Sequence, residues 1–251
     1  MRLPQTRIQL CGRIVIDLDG LRLEAGLPGR QGRLIFVYLA ANRMRAVTRD
    51  ELAAAIWPEE APAASDANLR VILSRLRRLL GADALEGRRE LRLILPPDAW
   101  IDLEAAELKI HEAEAAVHVE DWSRGVAAAT IAFAISNRGF LPGEDAPWVR
   151  ERRGWLEDVR LRALECDGTA SLSIGGSEAA AAERDARRLL ELAPYRESGH
   201  RLLMEALVRR GNSAEALLVY ESLRIMLRNE LGAVPSPASR ALHRQLLRSA
   251  R

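Results

Sequence analysis

The chain has 251 residues, 48% apolar and 29% charged, which is enough to bury a core and excludes a disordered or collagen-like polymer. Aromatics make up only 4% while Ala, Leu and Arg abound, so two mostly helical domains of about 100 to 150 residues each are expected. Net charge is +2, Cys11 and Cys166 lie far apart, and no apolar run approaches about 18 residues, which excludes a disulfide scaffold and a membrane span and points to a cytoplasmic protein.

Along the first 25 residues apolar positions alternate in the manner of strands: Ile8 and Leu10, Ile14 and Ile16, Leu21 and Leu23. Gly12 and the Asp19-Gly20 hairpin signal break the run. After Pro28-Gly29 the spacing becomes helical, with Leu34, Val37, Tyr38 and Ala41 on one stripe. Thr48 followed by Glu51 reads as a capping box for a second helix reaching Ile56-Trp57, where Pro58 stops it. A third helix runs from about Ser65 to Leu80 and is closed by Gly81. Leu85, a turn at Gly87-Arg88-Arg89, and Leu91 to Leu95 predict a terminal hairpin that ends at Pro96-Pro97. Sheet, three helices and hairpin, in that order, describe a winged helix-turn-helix over residues 1–98.

From Asp102 onward no strand pattern is visible, and residues 99–251 are read as an all-helical domain. Helices are predicted at about 102–118, 121–135, 147–172, 177–192, 195–210, 213–231 and 236–249. In a 34-residue frame Cys166, Ala170, Ala182, Ala186, Leu189 and Pro194 align with His200, Leu203, Met204, Leu207, Ala216, Tyr220 and Leu223. These are the packing positions of divergent tetratricopeptide helix pairs.

Stepping 100° per residue along the third helix puts Leu69, Ile72, Leu73, Leu76, Leu79 and Leu80 on one stripe, which is core. Opposite lie Val71, Ser74, Arg75 and Arg78, flanked by Asn68, Arg70 and Arg77. Such a face suits the DNA major groove, where a forked guanidinium meets guanine acceptors and a small apolar group meets a thymine methyl. Arg75 and Val71 are the expected base contacts, and Arg70, Arg77 and Arg78 the expected phosphate contacts. Arg88 and Arg89, at the hairpin tip, are placed to enter a minor groove. The first hundred residues hold 16 Arg against 12 acidic groups, a surplus in keeping with an anionic polymer. Trp57 is either core or a brace for the loop that follows it. Trp148 and Trp155 share one helix face and serve packing between the two domains or the binding of a partner.

No GxxxxGKS/T, GxGxxG, GxSxG or HExxH occurs, and two distant cysteines cannot make a structural zinc site, so neither an enzyme, a cofactor nor a metal is expected. Glu107, His111, Glu114 and His118 fall on one helical face, which reads as a solvated polar surface before a metal site. Gly175-Gly176, near Ser171 and Ser173, reads as an inter-helix turn before a phosphate loop.

The segments AVTRDELAAAIWPEE and ANLRVILSRLRRLLG, then FLPGEDAPWVRERR and the long run from LLELAPYRESGHRLLMEAL to AVPSPASRAL, resemble the Streptomyces antibiotic regulatory protein family. That family joins an OmpR-type winged helix to a bacterial transcriptional activator domain, and the resemblance spans about residues 8–248. It implies binding to double-stranded DNA on direct repeats near promoters, activation of transcription, contact with RNA polymerase, and a homodimer at least on DNA. By position Arg75 and Arg77 match the arginines of the SRLRR motif that touch DNA, and Val71 its apolar base-contacting position. Ile72 stands where some relatives carry a polar phosphate ligand, and GRRELRLIL replaces the usual Gly-Tyr pair before the last strand of the wing. With strands starting within ten residues of Met1, no phosphoacceptor domain is expected ahead of them, nor an added nucleotide-binding or sensor module. The alternative reading is an interaction scaffold whose winged helix no longer reads DNA.

Overall fold

The computed structural model describes residues 6–59, 61–81 and 83–249. Contacts group the chain into two compact units, Met1–Ala105 with Arg138–Leu156, and Ala106–Asn137 with Glu157–Arg251. Among the described residues no helix is long and apolar enough to cross a membrane.

The first unit opens with strands β1 (Thr6–Gln9), β2 (Val15–Leu18) and β3 (Leu21–Arg22). Helix α1 (Gly29–Ala41) follows, then β4 (Val47–Thr48), α2 (Arg49–Ile56) and α3 (Ser65–Leu80). Strands β5 (Leu85–Glu86) and β6 (Glu90–Leu93) form the terminal hairpin, and β7 (Trp100–Ile101) comes after it. The order expected for a winged helix is present. Two pairings go beyond the sequence reading. β7 lies parallel to β1, giving a four-stranded sheet in the order β3-β2-β1-β7, and β4 joins the hairpin in the order β4-β6-β5. Leu21 is largely exposed, so the alternation read across β3 does not bury that residue.

Helix α4 (Asp102–His118) starts directly after β7, and its first side chain closes the sheet. Asp102 is fully buried, and its two carboxylate oxygens accept the Leu10 and Cys11 N–H groups, each at 2.9 Å. Those two amides sit where β1 ends, so one carboxylate replaces the ladder partners they lack. The stretch 138–156 completes this unit. The Gly12 N–H donates to the Gly139 carbonyl at 2.8 Å, Cys11 bridges to Phe140, and Phe140 is buried. Arg153 donates to the carbonyls of Phe140, Leu141 and Glu144 and so holds the loop in shape.

The second unit contains the rest of α4, α5 (Trp122–Ser136), most of α6 (Pro147–Ile174), α7 (Ala179–Leu192), α8 (Glu197–Arg209), α9 (Ser213–Leu231) and α10 (Pro237–Ser249). Its core gathers Ala182, Ala186, Leu203, Met204, Leu207, Ala216 and Tyr220, positions picked out by the 34-residue frame. Pro194 departs from that frame: it is exposed, and its carbonyl meets His200 Nε2 at 2.8 Å. The Gly175-Gly176 pair has positive φ at both residues and forms the turn between α6 and α7.

Two expectations follow. Asp102→Ala strands two buried amide donors, so a stability loss of about 2 to 5 kcal/mol is expected by urea unfolding, with a smaller loss for Asp102→Asn, which keeps one acceptor. In the second unit, burial first and the nearby Asp167 charge second push the half-buried Asp185 carboxyl up from 3.8 to about 7. The folded state therefore holds this proton more tightly than the unfolded chain does. Its stabilising contribution is complete below about pH 4 and is lost as pH rises through about 7. Asp185→Asn should raise the urea midpoint at about pH 8 and flatten the decline on the way there.

Candidate nucleic-acid interface

Helix α3 carries no side-chain cap at its start and ends at Gly81, whose φ of 101° is open to glycine. Burial divides it sharply. Leu69, Ile72, Leu73 and Leu76 are buried, while Leu79 and Leu80 at the helix end are only half-buried, short of the full stripe expected. Opposite them Asn68, Arg70, Val71, Ser74, Arg75 and Arg78 are exposed, Val71 at 52%. Ile72 lies on this buried inner face, so it offers nothing to a phosphate.

The exposed residues are not equivalent. Arg70 is spent on an i,i+4 ion pair with Asp66 at 2.9 Å. Arg75 and Arg78 make no hydrogen bond or ion pair among the described residues, so their full donor sets face outward. Arg77 is half-buried and turned to another task. Its Nε donates to the Leu85 carbonyl at 3.2 Å and its Nη2 to the Gly87 carbonyl at 2.6 Å, bracing the first strand of the hairpin.

The hairpin tip is fastened from a second direction. Arg49, the first residue of α2, donates its backbone N–H to the Arg89 carbonyl at 3.1 Å and its Nη1 to the Arg88 carbonyl at 3.3 Å. The same guanidinium meets the Asp66 carboxylate at 3.0 Å, so one side chain joins α2, the start of α3 and the hairpin tip. Sequence reasoning missed Arg49, because nothing in a helix-capping segment signals a long-range donor. The capping box itself is present: Glu51 N–H donates to the Thr48 hydroxyl and Thr48 N–H to the Glu51 carboxylate.

Between these anchors Gly87 has φ of 89°, and a Cβ there would lie 1.8 Å from the Glu90 carbonyl oxygen, so only glycine fits. Arg88 and Arg89 are both exposed at the tip, with no side-chain bond among the described residues. Trp57 caps the end of α2 and is half-buried. On α4, Glu107, His111 and His118 are exposed, whereas Glu114 is held by Arg162 at 2.6 Å. Among the described residues no three His, Cys, Asp or Glu side chains converge to hold a metal.

Residues 28–93 match the family described as "Transcriptional regulatory protein, C terminal", and residues 101–247 match the bacterial transcriptional activator domain. The chain belongs to the Streptomyces antibiotic regulatory protein family. It is similar to the regulatory protein AfsR of Streptomyces griseus, at 32% identity over 90% of this chain and 23% of that protein. It is also similar to the transcriptional regulatory protein EmbR of Mycobacterium tuberculosis, at 29% identity over 95% of this chain and 62% of that protein. The chain thus spans about a quarter of AfsR and less than two thirds of EmbR. The solved structure of Mycobacterium tuberculosis EmbR in complex with a low-affinity phosphopeptide shares the fold, with a TM-score of 0.85 at 24% identity, covering 98% of this chain and 65% of that one.

For this family member the Arg77 brace is open to direct test. Arg77→Met keeps the aliphatic stem and removes both donors, so amide exchange over residues 85–93 should quicken about tenfold, equivalent to about 1 to 1.5 kcal/mol of local stability. Unchanged protection there would mean that the hairpin is held without the guanidinium.

Proposed function

We propose that the chain is a cytoplasmic, sequence-specific DNA-binding regulator of transcription, an activator with no enzymatic activity of its own. The carrying observation is the two-sided α3: leucines buried on one face, and on the other Val71, Ser74 and the unspent guanidinium groups of Arg75 and Arg78. The major groove admits such a helix. In this reading Arg75 forks onto a guanine edge and Val71 meets a thymine methyl, with Asn68 and Ser74 beside them. Arg78 meets phosphates, Arg70 does so by exchanging its exposed pair with Asp66 for a phosphate, and Arg88 and Arg89 reach the adjacent minor groove. Arg77 acts mainly through the hairpin that it braces.

Residues 1–98 would bind DNA, while 99–251 would join protomers into a homodimer on DNA and touch RNA polymerase. Family membership supports this division, as do the two adjoining family matches. Tandem sites about one helical turn apart would set two protomers on the same side of the duplex.

Selection of genomic fragments by the purified protein at moderate salt should enrich one repeated sequence. On that sequence Arg75→Ala is expected to cost about 1 to 3 kcal/mol and to relax discrimination at one base pair. Arg78→Ala should weaken all sequences alike and lower the salt slope by about one. No enrichment of any sequence would favour an interaction scaffold, and an unchanged base preference in Arg75→Ala would remove Arg75 from the reading face.

A further inference from the structure

Trp148 and Trp155 stand seven residues apart on α6, and packing consumes them unequally. Trp148 is edge-on to Tyr38, with ring centroids 5.1 Å apart, and to Phe140 at 5.9 Å, and it donates its indole N–H to the Ala55 carbonyl at 3.0 Å. All these partners belong to the first unit, so Trp148 is packed within it. Trp155 is half-buried, and the Arg152 guanidinium lies 5.4 Å from its ring centroid.

Tyr38, Trp148 and Trp155 line a cleft of about 300 Å³ within the first unit, together with Arg45, Glu151 and Arg152. The charged groups in this wall differ in how far they are engaged. Arg45 is held by Glu51 at 3.0 Å and by the Ala46 carbonyl at 3.0 Å. Glu151 and Arg152 make no ion pair or hydrogen bond among the described residues. The cleft therefore offers three aromatic rings, one anion with no hydrogen bond or ion pair among the described residues, and one cation that lies over the Trp155 ring with its N–H donors unengaged. Its size is at the lower end for small-ligand sites, and its lining pairs the three rings with four polar or charged side chains, Asn42, Arg45, Glu151 and Arg152.

The charges decide what fits. An uncharged ring covering this wall would take both ionised groups out of water without compensation. A purely anionic ligand would strand the Glu151 carboxylate, and a purely cationic one the Arg152 guanidinium, each at the cost of an unpaired desolvated charge. A ligand carrying a ring, a carboxylate and an ammonium leaves neither group alone. Its carboxylate takes the paired N–H donors of Arg152, its ammonium meets Glu151, and its ring packs against Trp155 and Tyr38. We propose that this cleft binds a small aromatic zwitterion of the aromatic amino-acid class, with Arg152 and Glu151 as its two charge partners and Trp155 as its stacking surface. The proposal is independent of the DNA-binding reading.

Calorimetric titration of the full chain with L-tryptophan, indole-3-propionate and tryptamine separates the contributions of the two charges. Saturable binding of tryptophan is expected, with each half-ligand at least tenfold weaker. Arg152→Met should erase the preference over tryptamine, and Glu151→Gln the preference over indole-3-propionate. Circular dichroism checks that both variants remain folded, which is expected because, among the described residues, Glu151 has no hydrogen bond or ion pair and Arg152 has only its place over the Trp155 ring. The proposal is overturned if tryptophan, tyrosine and phenylalanine all fail to bind in the millimolar range, if either half-ligand binds as tightly as tryptophan, or if the preferences survive both substitutions in folded protein.

Discussion

Whatever the outer face of α3 can do depends on how its inner face is held. Four buried apolar residues, Leu69, Ile72, Leu73 and Leu76, fix the rotation of the helix about its axis. That rotation alone decides that Val71 and Arg75 point outward rather than Ile72 and Leu76. A slip of one residue would turn each side chain by about 100° and bury a guanidinium, at a cost that no single exposed contact could offset. The apolar stripe is therefore a condition of the chemistry opposite it, and the fold's other devices serve to place further groups beside a helix already oriented.

The hairpin is placed by guanidinium groups donating to backbone carbonyls. Arg77 reaches it from α3 and Arg49 from α2, and between them they engage the carbonyls of Leu85, Gly87 and Arg88. Carbonyls in a short hairpin turn have few ladder partners, so a forked cation that takes two at once restrains strand and tip together. Asp102 does the converse at the other sheet, a carboxylate accepting two amides where β1 ends. In both places a charged side chain finishes a ladder that the backbone leaves open.

This division explains what was legible in the sequence. The α3 stripe, the Thr48 and Glu51 box, the Gly87 turn and the repeat helices are carried by spacings of a few residues, and periodicity exposes them directly. The pairing of β7 with β1 joins residues more than ninety positions apart through main-chain atoms alone, and a two-residue strand has no periodicity to read. The same holds for the stretch 138–156. The sequence reading places a single boundary at residue 98, whereas compactness groups this stretch with the first unit through Phe140 and Trp148. Arg77 could be placed on its helix but not assigned its carbonyl partners, because sequence shows where a donor sits and not which acceptor is left without one.

Counting arginines is consequently a poor guide to a nucleic-acid face, while asking which of them are spent is a better one. In the second unit Arg162 is divided between Glu114 and Asp158, and Arg187 between Glu183 and Glu215. In the first, Arg153 is given to three carbonyls and Arg43 to Glu104. A guanidinium with its donors engaged has little left to offer a phosphate or a guanine edge. One that remains hydrated loses only water on meeting them and returns condensed counterions to bulk. Arg75, Arg78, Arg88 and Arg89 are of this second kind, and they lie on α3 and on the hairpin that Arg77 ties to it. Arginines elsewhere, such as Arg184, Arg209, Arg228 and Arg244, are also exposed without a side-chain hydrogen bond or ion pair among the described residues. What distinguishes this surface is therefore that its unengaged arginines lie together on an oriented helix and the hairpin beside it, an arrangement that a net charge of +2 for the whole chain conceals.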